Sequence, residues 1–499
     1  MIVRRGKQEG WLHLDVDAVQ KWAAASGIKF TNASPTFIPG RGIGLLADHD
    51  IRSEPAEKPC QILELAEDLV LSIDAVKQHA SFDKDFRELL ESLGEFGTTP
   101  RGSILSFLLF QATISCPNLS ERVGVHTAFT DYVKTLPCEI LPTFWTSEEL
   151  QLLVGTTLAP AVSSKLKSLQ REYDLLYSSA ANTRWFKLVE PFLDLDDWMQ
   201  VDAMFRSRAL DFYGSCMIPG MDLASHAAGD RTSAFYDRNE GSYFLRLMEG
   251  KELKQGDEIC ITYGDEKGAC EMLFSYGFIE EQMDTAETLF LSLMIPDSDV
   301  SKSAKMKVAD CAPGFKIIDV CGEPVPAEKR SHQNEETGGD IDWSGDFIWL
   351  LCVGSEDGLE FELARTVDGQ EELQATFNGQ ELKRGASDLH RHLVQSQLWP
   401  VYRLRAMVIL QQRVFDQLQV LYGSQDAVEA TPHGDGTGIR EPQYQQALKL
   451  RSLEFELLNK AYEDFEKQKI ELAETSIVQQ YLTSMGTSNT VDEPVEDFS

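Results

Sequence analysis

Strand-length apolar runs occur in two places far apart in this chain, and helical sequence separates them. The first group runs through "FIPGRGIGLLADHDI" and "CQILELAEDLVLSIDAV" and ends near Ile73. The second lies between 201 and 282, with polar turns such as "DRNEGS" and "KQGDE". Strands and helices in separate blocks, not in regular alternation, predict an α+β class. Ahead of the first group, Val16, Val19, Trp22 and Ala23 line one helical face, and Gly27 suits the stop. Ile43, Leu45 and Ala47 alternate with Gly44 and Leu46, which predicts a strand leaving a glycine-rich turn.

From about 76 to 200 the periodicity is helical. "SILSFLLFQAT" predicts a buried segment, Thr146 and Glu149 stand at capping-box spacing, and "VSSKLKSLQREYDLLYSS" continues the pattern. Beyond 283 the C-terminal region reads as mostly helical. Residues 322–347 read as a loop, followed by two long stripes: Leu404, Met407, Gln411, Val414, Leu418 and Leu421, then Leu450, Leu453, Leu457, Ala461 and Phe465. Glu456 with Lys460 and Glu463 with Lys467 are placed to support the outer face of the second. The polar linker 423–441 is expected to be mobile. The boundaries expected are therefore 1–75, a helical insert 76–200, 201–282, a helical domain 283–485 and a disordered acidic tail 486–499.

Composition narrows the function classes. Forty-six basic against eighty acidic side chains leave a formal charge of −34, which repels phosphate backbones and anionic lipid and suits a basic protein partner. No nucleic acid or membrane partner is expected. Nine dispersed cysteines without a C-x-x-C pair argue against a disulfide framework or a structural zinc site, and fit the cytosol or nucleus. No run approaches the 18 or so apolar residues that span a bilayer.

Two stretches stand out for chemistry. "MIPGMDLASHA" places Asp222, Ser225 and His226 just past a Pro-Gly break. "ICITYGDEKGACEMLFSYGF" repeats a Tyr-Gly step, at Tyr263 and again at Tyr276, with Phe278 following. Alone, such tyrosines are commonly core aromatics at turns. The glycines of "GRGIG" are not spaced G-x-G-x-x-G, and a strand follows them, so a dinucleotide loop is excluded. Glycines there still allow backbone to approach a ligand.

In order, "GRGIGLLADHDI", "SRAL" (207–210), "IPGMDLASH" and "ITYGDEKGACEMLFSYGF" resemble the SET-domain methyltransferases, more narrowly the class typified by the Rubisco large-subunit lysine methyltransferase. "YVKTLPCEILPTFWTSEELQLLVGTTL" (132–158) is similar to the start of that class's helical insert. The resemblance implies a SET β-fold split by the insert, a helical substrate-binding domain, and S-adenosylmethionine as cofactor. It places Arg41, Gly42 and Ile43 in the turn that holds the cofactor, and Ser225 and His226 at the adenine. Ser207, Arg208, Asp222 and Tyr236 fall by the lysine and cofactor channel, with Asp222 orienting Tyr236 or attracting the lysine. Tyr263 becomes the catalytic tyrosine, also touching cofactor; Tyr276 lines the lysine channel; Phe278 packs near the cofactor. Two departures are visible: Ser225 replaces an asparagine and Ala269 another.

The implied reaction is a direct displacement by a neutral amine. Free lysine titrates near 10.4, and burial in an aromatic-lined channel lowers that value. A tyrosine hydroxyl can then align the nitrogen with the methyl group. The activity expected is protein-lysine N-methylation, by a monomer, of a non-histone basic protein such as a ribosomal protein or translation factor. A protein-histidine N-methyltransferase and a SET-derived binding protein without turnover are the alternatives.

Overall fold

The computed structural model describes residues 2–53, 59–264, 267–320, 340–365, 371–434 and 436–488. Strands from either side of the helical insert pair with one another. Lys29–Phe30, Gln61–Ala66, Ser242–Leu247 and Ala234–Asn239 form, in that spatial order, a four-stranded antiparallel sheet, with Leu63 opposite Leu245 and Leu245 opposite Tyr236. Leu71–Ser72 lies beside Ser215–Met217, and Ile51–Arg52 beside Glu252–Leu253. The two β regions are thus one β-domain. Along Ser242–Leu247 the buried residues are Tyr243, Leu245 and Leu247, the period-2 pattern of a strand with one face on a core. That core gathers Val19, Leu45, Ile62, Leu223, Leu245 and Ile261 from segments far apart in sequence.

The hairpin Ala33–Ile38 with Gly42–Ala47 turns through Gly40 and Gly42, at φ of 78° and 86°, a conformation that favours glycine. Pro35 is tolerated opposite Leu45 because its strand, Ala33–Ile38, pairs in the sheet with Gly42–Ala47 alone. The preceding helix, Val16–Ser26, ends at Gly27 in the left-handed region, as its sequence predicts, and Asp15 caps its start.

The helical insert has its own core. The helix Pro100–Ile114 is buried from Gly102 to Thr113, so apolar residues face inward all round it. Its own Phe107 and Phe110 meet Phe86, Phe110 meets Trp185, and Trp198 joins the same core. The last insert helix, Leu195–Arg208, runs past the expected boundary at 200, starting from a capping box of Asp194 and Asp197. Asp197 also accepts the Ile2 and Val3 amides at 2.8 and 2.7 Å, and so caps a first helix, Val3–Glu9, that the sequence reading did not anticipate.

The chain divides into two compact units: 1–145, 160–267 and 271–277 in the first; 146–159, 268–270 and 278–499 in the second. The segment Thr146–Ala159, read as insert, therefore groups with the C-terminal unit; its capping box of Thr146 and Glu149 is present. That unit begins with two three-stranded sheets that the helical expectation lacked: Thr288–Ser292, Gly314–Asp319 and Ile341–Ser344, then Leu359–Arg365, Glu371–Phe377 and Gln380–Glu381. Helices follow, among them Trp399–Gly423, Glu441–Ala473 and Ser476–Ser488. Met407, Val414, Leu421, Leu450, Leu457 and Phe465 are buried, each worth roughly 1.5–3 kcal/mol of transfer from water. Gln411, which interrupts the first stripe, donates to Glu466 at 2.5 Å and accepts from Lys469 at 2.7 Å, both on the partner helix. Lys460 reaches Asp319 at 2.9 Å. The linker read as mobile carries a short helix, Gln425–Glu429, and is tied down where Arg440 meets the buried Glu149 at 2.6 Å. Most of the loop expected at 322–347, and the tail beyond 488, lie outside the described residues; 341–344 is strand.

Candidate functional site

The residues that stood out in the sequence converge within the first unit. Ser225–His226 and Cys260–Ile261 form a short parallel pair, Ser225 opposite Cys260. This pairing brings the end of "MIPGMDLASH" beside the start of "ITYG". The His226 imidazole then accepts the Tyr263 amide on Nδ1 at 3.0 Å, and the two rings lie 5.0 Å apart. His226 thereby fixes the backbone from which Tyr263 projects.

The Tyr263 hydroxyl donates to the Ala224 carbonyl at 3.0 Å, and its ring lies 4.6 Å from that of Tyr276. Burial pushes its pKa up, against the pull of Arg208, so it stays a neutral phenol at physiological pH. With its proton held by Ala224, the oxygen keeps lone pairs to accept a hydrogen bond from another group. This tyrosine is built to orient, and not to take up a proton. Tyr276 ends the helix Ala269–Tyr276, and the Lys267 ammonium, paired with Glu271 at 2.6 Å, stands 5.6 Å from its ring centre.

Asp222 sits in the turn Met221–Leu223. One carboxylate oxygen accepts the Tyr132 hydroxyl at 2.7 Å, the other the Gly220 amide at 2.9 Å. Both oxygens being engaged, Asp222 is held by Tyr132 and not through a bond to Tyr236, the orientation expected from sequence. Burial raises its pKa and Arg208 opposes the rise. Arg208 donates to the Asp222 carbonyl at 2.6 Å and to Glu139 at 3.3 Å, and Ser207 donates to Glu139 at 3.2 Å. Tyr236, on the strand Ala234–Asn239, is half-buried, and its pKa is raised by burial and by nearby Tyr263 and Asp222.

The glycine turn adjoins this cluster along the chain's pairing. Ile259 donates its amide to the Leu45 carbonyl at 2.9 Å, and Arg41 meets Glu258 at 2.7 Å. Ile43, Tyr236 and Tyr263 all border the β core. A Cβ placed on Gly40 or Gly42 would meet nothing within 4 Å, so the turn's backbone is bare on that side and open to a ligand. Phe278 begins the main span of the second unit. Sequence reading missed Tyr132 and Glu139. Both lie in the insert, about 90 and 70 residues from the groups they hold, with no local pattern to mark them.

Among the described residues, no group of three or more His, Cys, Asp or Glu is placed to hold a metal ion, and no helix is long and apolar enough to cross a membrane.

No protein-family model matches the chain. It is similar to SET domain-containing protein 8 of Schizosaccharomyces pombe, 26% identical over 286 residues that cover 56% of this chain and 60% of that protein. It is also similar to the ribulose-1,5 bisphosphate carboxylase/oxygenase large subunit N-methyltransferase of Pisum sativum, 26% identical over 313 residues, 59% of this chain and 57% of the relative. A third relative is the [fructose-bisphosphate aldolase]-lysine N-methyltransferase of Arabidopsis thaliana, 24% identical over 390 residues, 72% and 70% of the two chains. The chain thus spans about three-fifths of the first two relatives. Its fold is that of solved Rubisco LSMT structures. The LSMT SET domain bound to lysine and AdoHcy matches with a TM-score of 0.64 at 20% identity, over 96% of this chain and 99% of that one. Rubisco LSMT bound to sinefungin and monomethyllysine matches at 0.62, 20% identity, over 96% and 97%. The resemblance drawn from the four motifs, and the α+β class, agree with these likenesses.

Proposed function

We propose that the chain is a protein-lysine N-methyltransferase that uses S-adenosylmethionine. The observation that carries this reading is the double hold on Tyr263, its amide on His226 and its hydroxyl on Ala224, inside an LSMT-like fold. The bare backbone of the Gly40–Gly42 turn fits a cofactor that is approached closely. Arg41, Gly42, Ile43, Ser225 and His226 would hold the cofactor, which supplies an electrophilic methyl group. Tyr263 would accept a hydrogen bond from the target amine and fix its lone pair in line; Tyr276 and Tyr236 would wall the channel and keep water out, which favours the neutral amine. Ser207, Arg208 and Asp222 would shape that wall. Asp222, engaged at both oxygens, is not assigned the role of base.

The target is a basic protein such as a ribosomal protein or translation factor; the net charge of −34 supports this choice. The cytosol or nucleus is its place of action, in keeping with nine dispersed cysteines that include no C-x-x-C pair. Labelled S-adenosylmethionine, incubated with the chain and a cell extract, tests the reading. Transfer of label to protein by the wild type is expected, with a loss of at least about 100-fold in Tyr263→Phe. Undiminished transfer by that variant would refute it, and methyl-histidine in the labelled peptide would redirect it.

A further inference from the structure

The Tyr263 hydroxyl is oriented by the Ala224 carbonyl, and that carbonyl is set by the turn just before it. The turn Met221–Leu223 follows Gly220 at φ 84°, and Ala224 donates its amide back to the Met221 carbonyl at 3.1 Å. Three contacts hold the turn from outside its own backbone. Arg208 grips the Asp222 carbonyl, Gly220 closes on one Asp222 oxygen, and Tyr132 donates to the other. Arg208 ends the last helix of the insert, and Tyr132 comes from deeper within the insert. It lies on the helix Ala128–Thr135, is fully buried, and its ring stacks on Trp22 at 6.1 Å with an 18° interplanar angle. Its ring is therefore held in place, and its proton has a carboxyl acceptor 2.7 Å away.

The geometry points to Tyr132 as a positioning residue for methyl transfer. Through Asp222 it fixes the turn that presents the Ala224 carbonyl, and so fixes the direction in which Tyr263 holds its proton and its lone pairs. The helical insert is then more than a spacer in this fold: it reaches into the turn that aims the reacting tyrosine. Without the Tyr132 hydroxyl, Asp222 loses a donor in a half-buried site, and Arg208 is left to tie the turn to the insert helices. Loss of aim at Tyr263 lowers the maximal rate, since alignment to within an ångström governs such transfers. Binding at the glycine turn, which Tyr132 does not touch, is unchanged. This inference rests on the reading of Tyr263 given above.

The test uses the full chain, tritiated S-adenosylmethionine and the basic proteins of a cell extract, with Tyr132→Phe compared to wild type. Phenylalanine keeps the ring and its stacking. The expected result is a roughly tenfold lower rate at saturating cofactor, an apparent KM for S-adenosylmethionine within about twofold of wild type, and a folded circular-dichroism spectrum. A rate within twofold of wild type, or a loss appearing only as raised KM, overturns the assignment. Should Tyr132→Phe unfold at the assay temperature, Glu139→Gln provides the same reading from the other side. It weakens the hold of Arg208 on the turn, and the rate should fall about threefold with KM unchanged; an unchanged rate overturns the inference. No label with the wild type overturns the methyltransferase reading, and this inference with it. Label with the wild type and undiminished label with the variants overturns this inference alone.

Discussion

Asp222 in the first unit and Glu454 in the second are both carboxylates withdrawn from water, and they are held in different ways. Asp222 has a hydroxyl and an amide on its two oxygens and the Arg208 guanidinium on its own carbonyl, with Glu139 completing the charge balance. Glu454 is fully buried, and its two hydrogen bonds come from neutral donors, the Thr157 amide at 2.8 Å and the Thr157 hydroxyl at 2.5 Å. Arg451 lies close, but its nitrogens donate to Gln425, Ser424 and the carbonyls of Leu152, Val154 and Leu421. Burial raises both pKa values; for Glu454 it reaches about 7. Both carboxylates thus take neutral donors on their own oxygens; at the candidate site a cation on the backbone carbonyl of the same residue fixes the shape of the turn, whereas in the C-terminal unit the buried carboxylate couples stability to pH.

Removing the cation tests the first half of this contrast and should have the largest effect. Arg208→Met takes the guanidinium from a place where Glu139 and the Asp222 carbonyl both depend on it. Breaking such a part-buried pair from one side typically costs about 3 kcal/mol, because the remaining charge stays where it was. Chemical denaturation at pH 7 measures it. A cost below about 1 kcal/mol would mean that the turn holds itself, and the contrast with Glu454 would lose its basis.

The second half predicts a pH signature. A carboxyl whose folded pKa is raised contributes stability that is fully present below its unfolded pKa, near 4.3, and is lost as pH rises through the folded value, about 7. Over that window the folded state binds more protons than the unfolded one, and stability falls by about 1.4 kcal/mol per pH unit. Glu454→Gln removes the titration. The variant should match wild type near pH 4.5 and become the more stable of the two by pH 8, the gap growing to about 4 kcal/mol at most. Unfolding curves of both proteins at several pH values check this, and parallel curves would show that Glu454 stays ionised throughout.

How much of this was legible in the sequence follows the range of the interactions. Gly27 marks the end of its helix because caps act within a turn, and the Thr146–Glu149 box is present for the same reason. Beyond the half-buried Leu404, the stripes of the long C-terminal helices are buried as read, even to Gln411, whose partners alone were unknown. Pairing of Ser225–His226 with Cys260–Ile261 has no local signal, since a two-residue strand shows no period, and the motif order alone brought those segments together. The ties of Tyr132 to Asp222 and of Glu139 to Arg208 are longer-range still. In "TLFLSLMIP" the buried Leu289, Leu291 and Leu293 do alternate, so the first C-terminal sheet carried a strand signal that the helical expectation passed over.

The smallest expected effect falls at Gly42, and it separates a structural glycine from one that serves a ligand. Gly42 has φ of 86°, where an added Cβ costs roughly 1 kcal/mol through backbone strain alone. Nothing lies within 4 Å of that Cβ, so Gly42→Ala has no clash to add. Its stability loss should therefore be about 1 kcal/mol, well under that of Arg208→Met. If the bare side of the turn is where S-adenosylmethionine lies, the same methyl group occupies the cofactor's space. Affinity measured by calorimetry should then fall by tenfold or more, beyond what the small stability change explains. Equal affinity in the two proteins would leave Gly42 as a turn residue and move the cofactor away from the hairpin. Because Gly40 is equally open, with φ of 78°, Gly40→Ala gives the internal comparison: two glycines of like strain, of which the one nearer the cofactor should show the larger affinity loss.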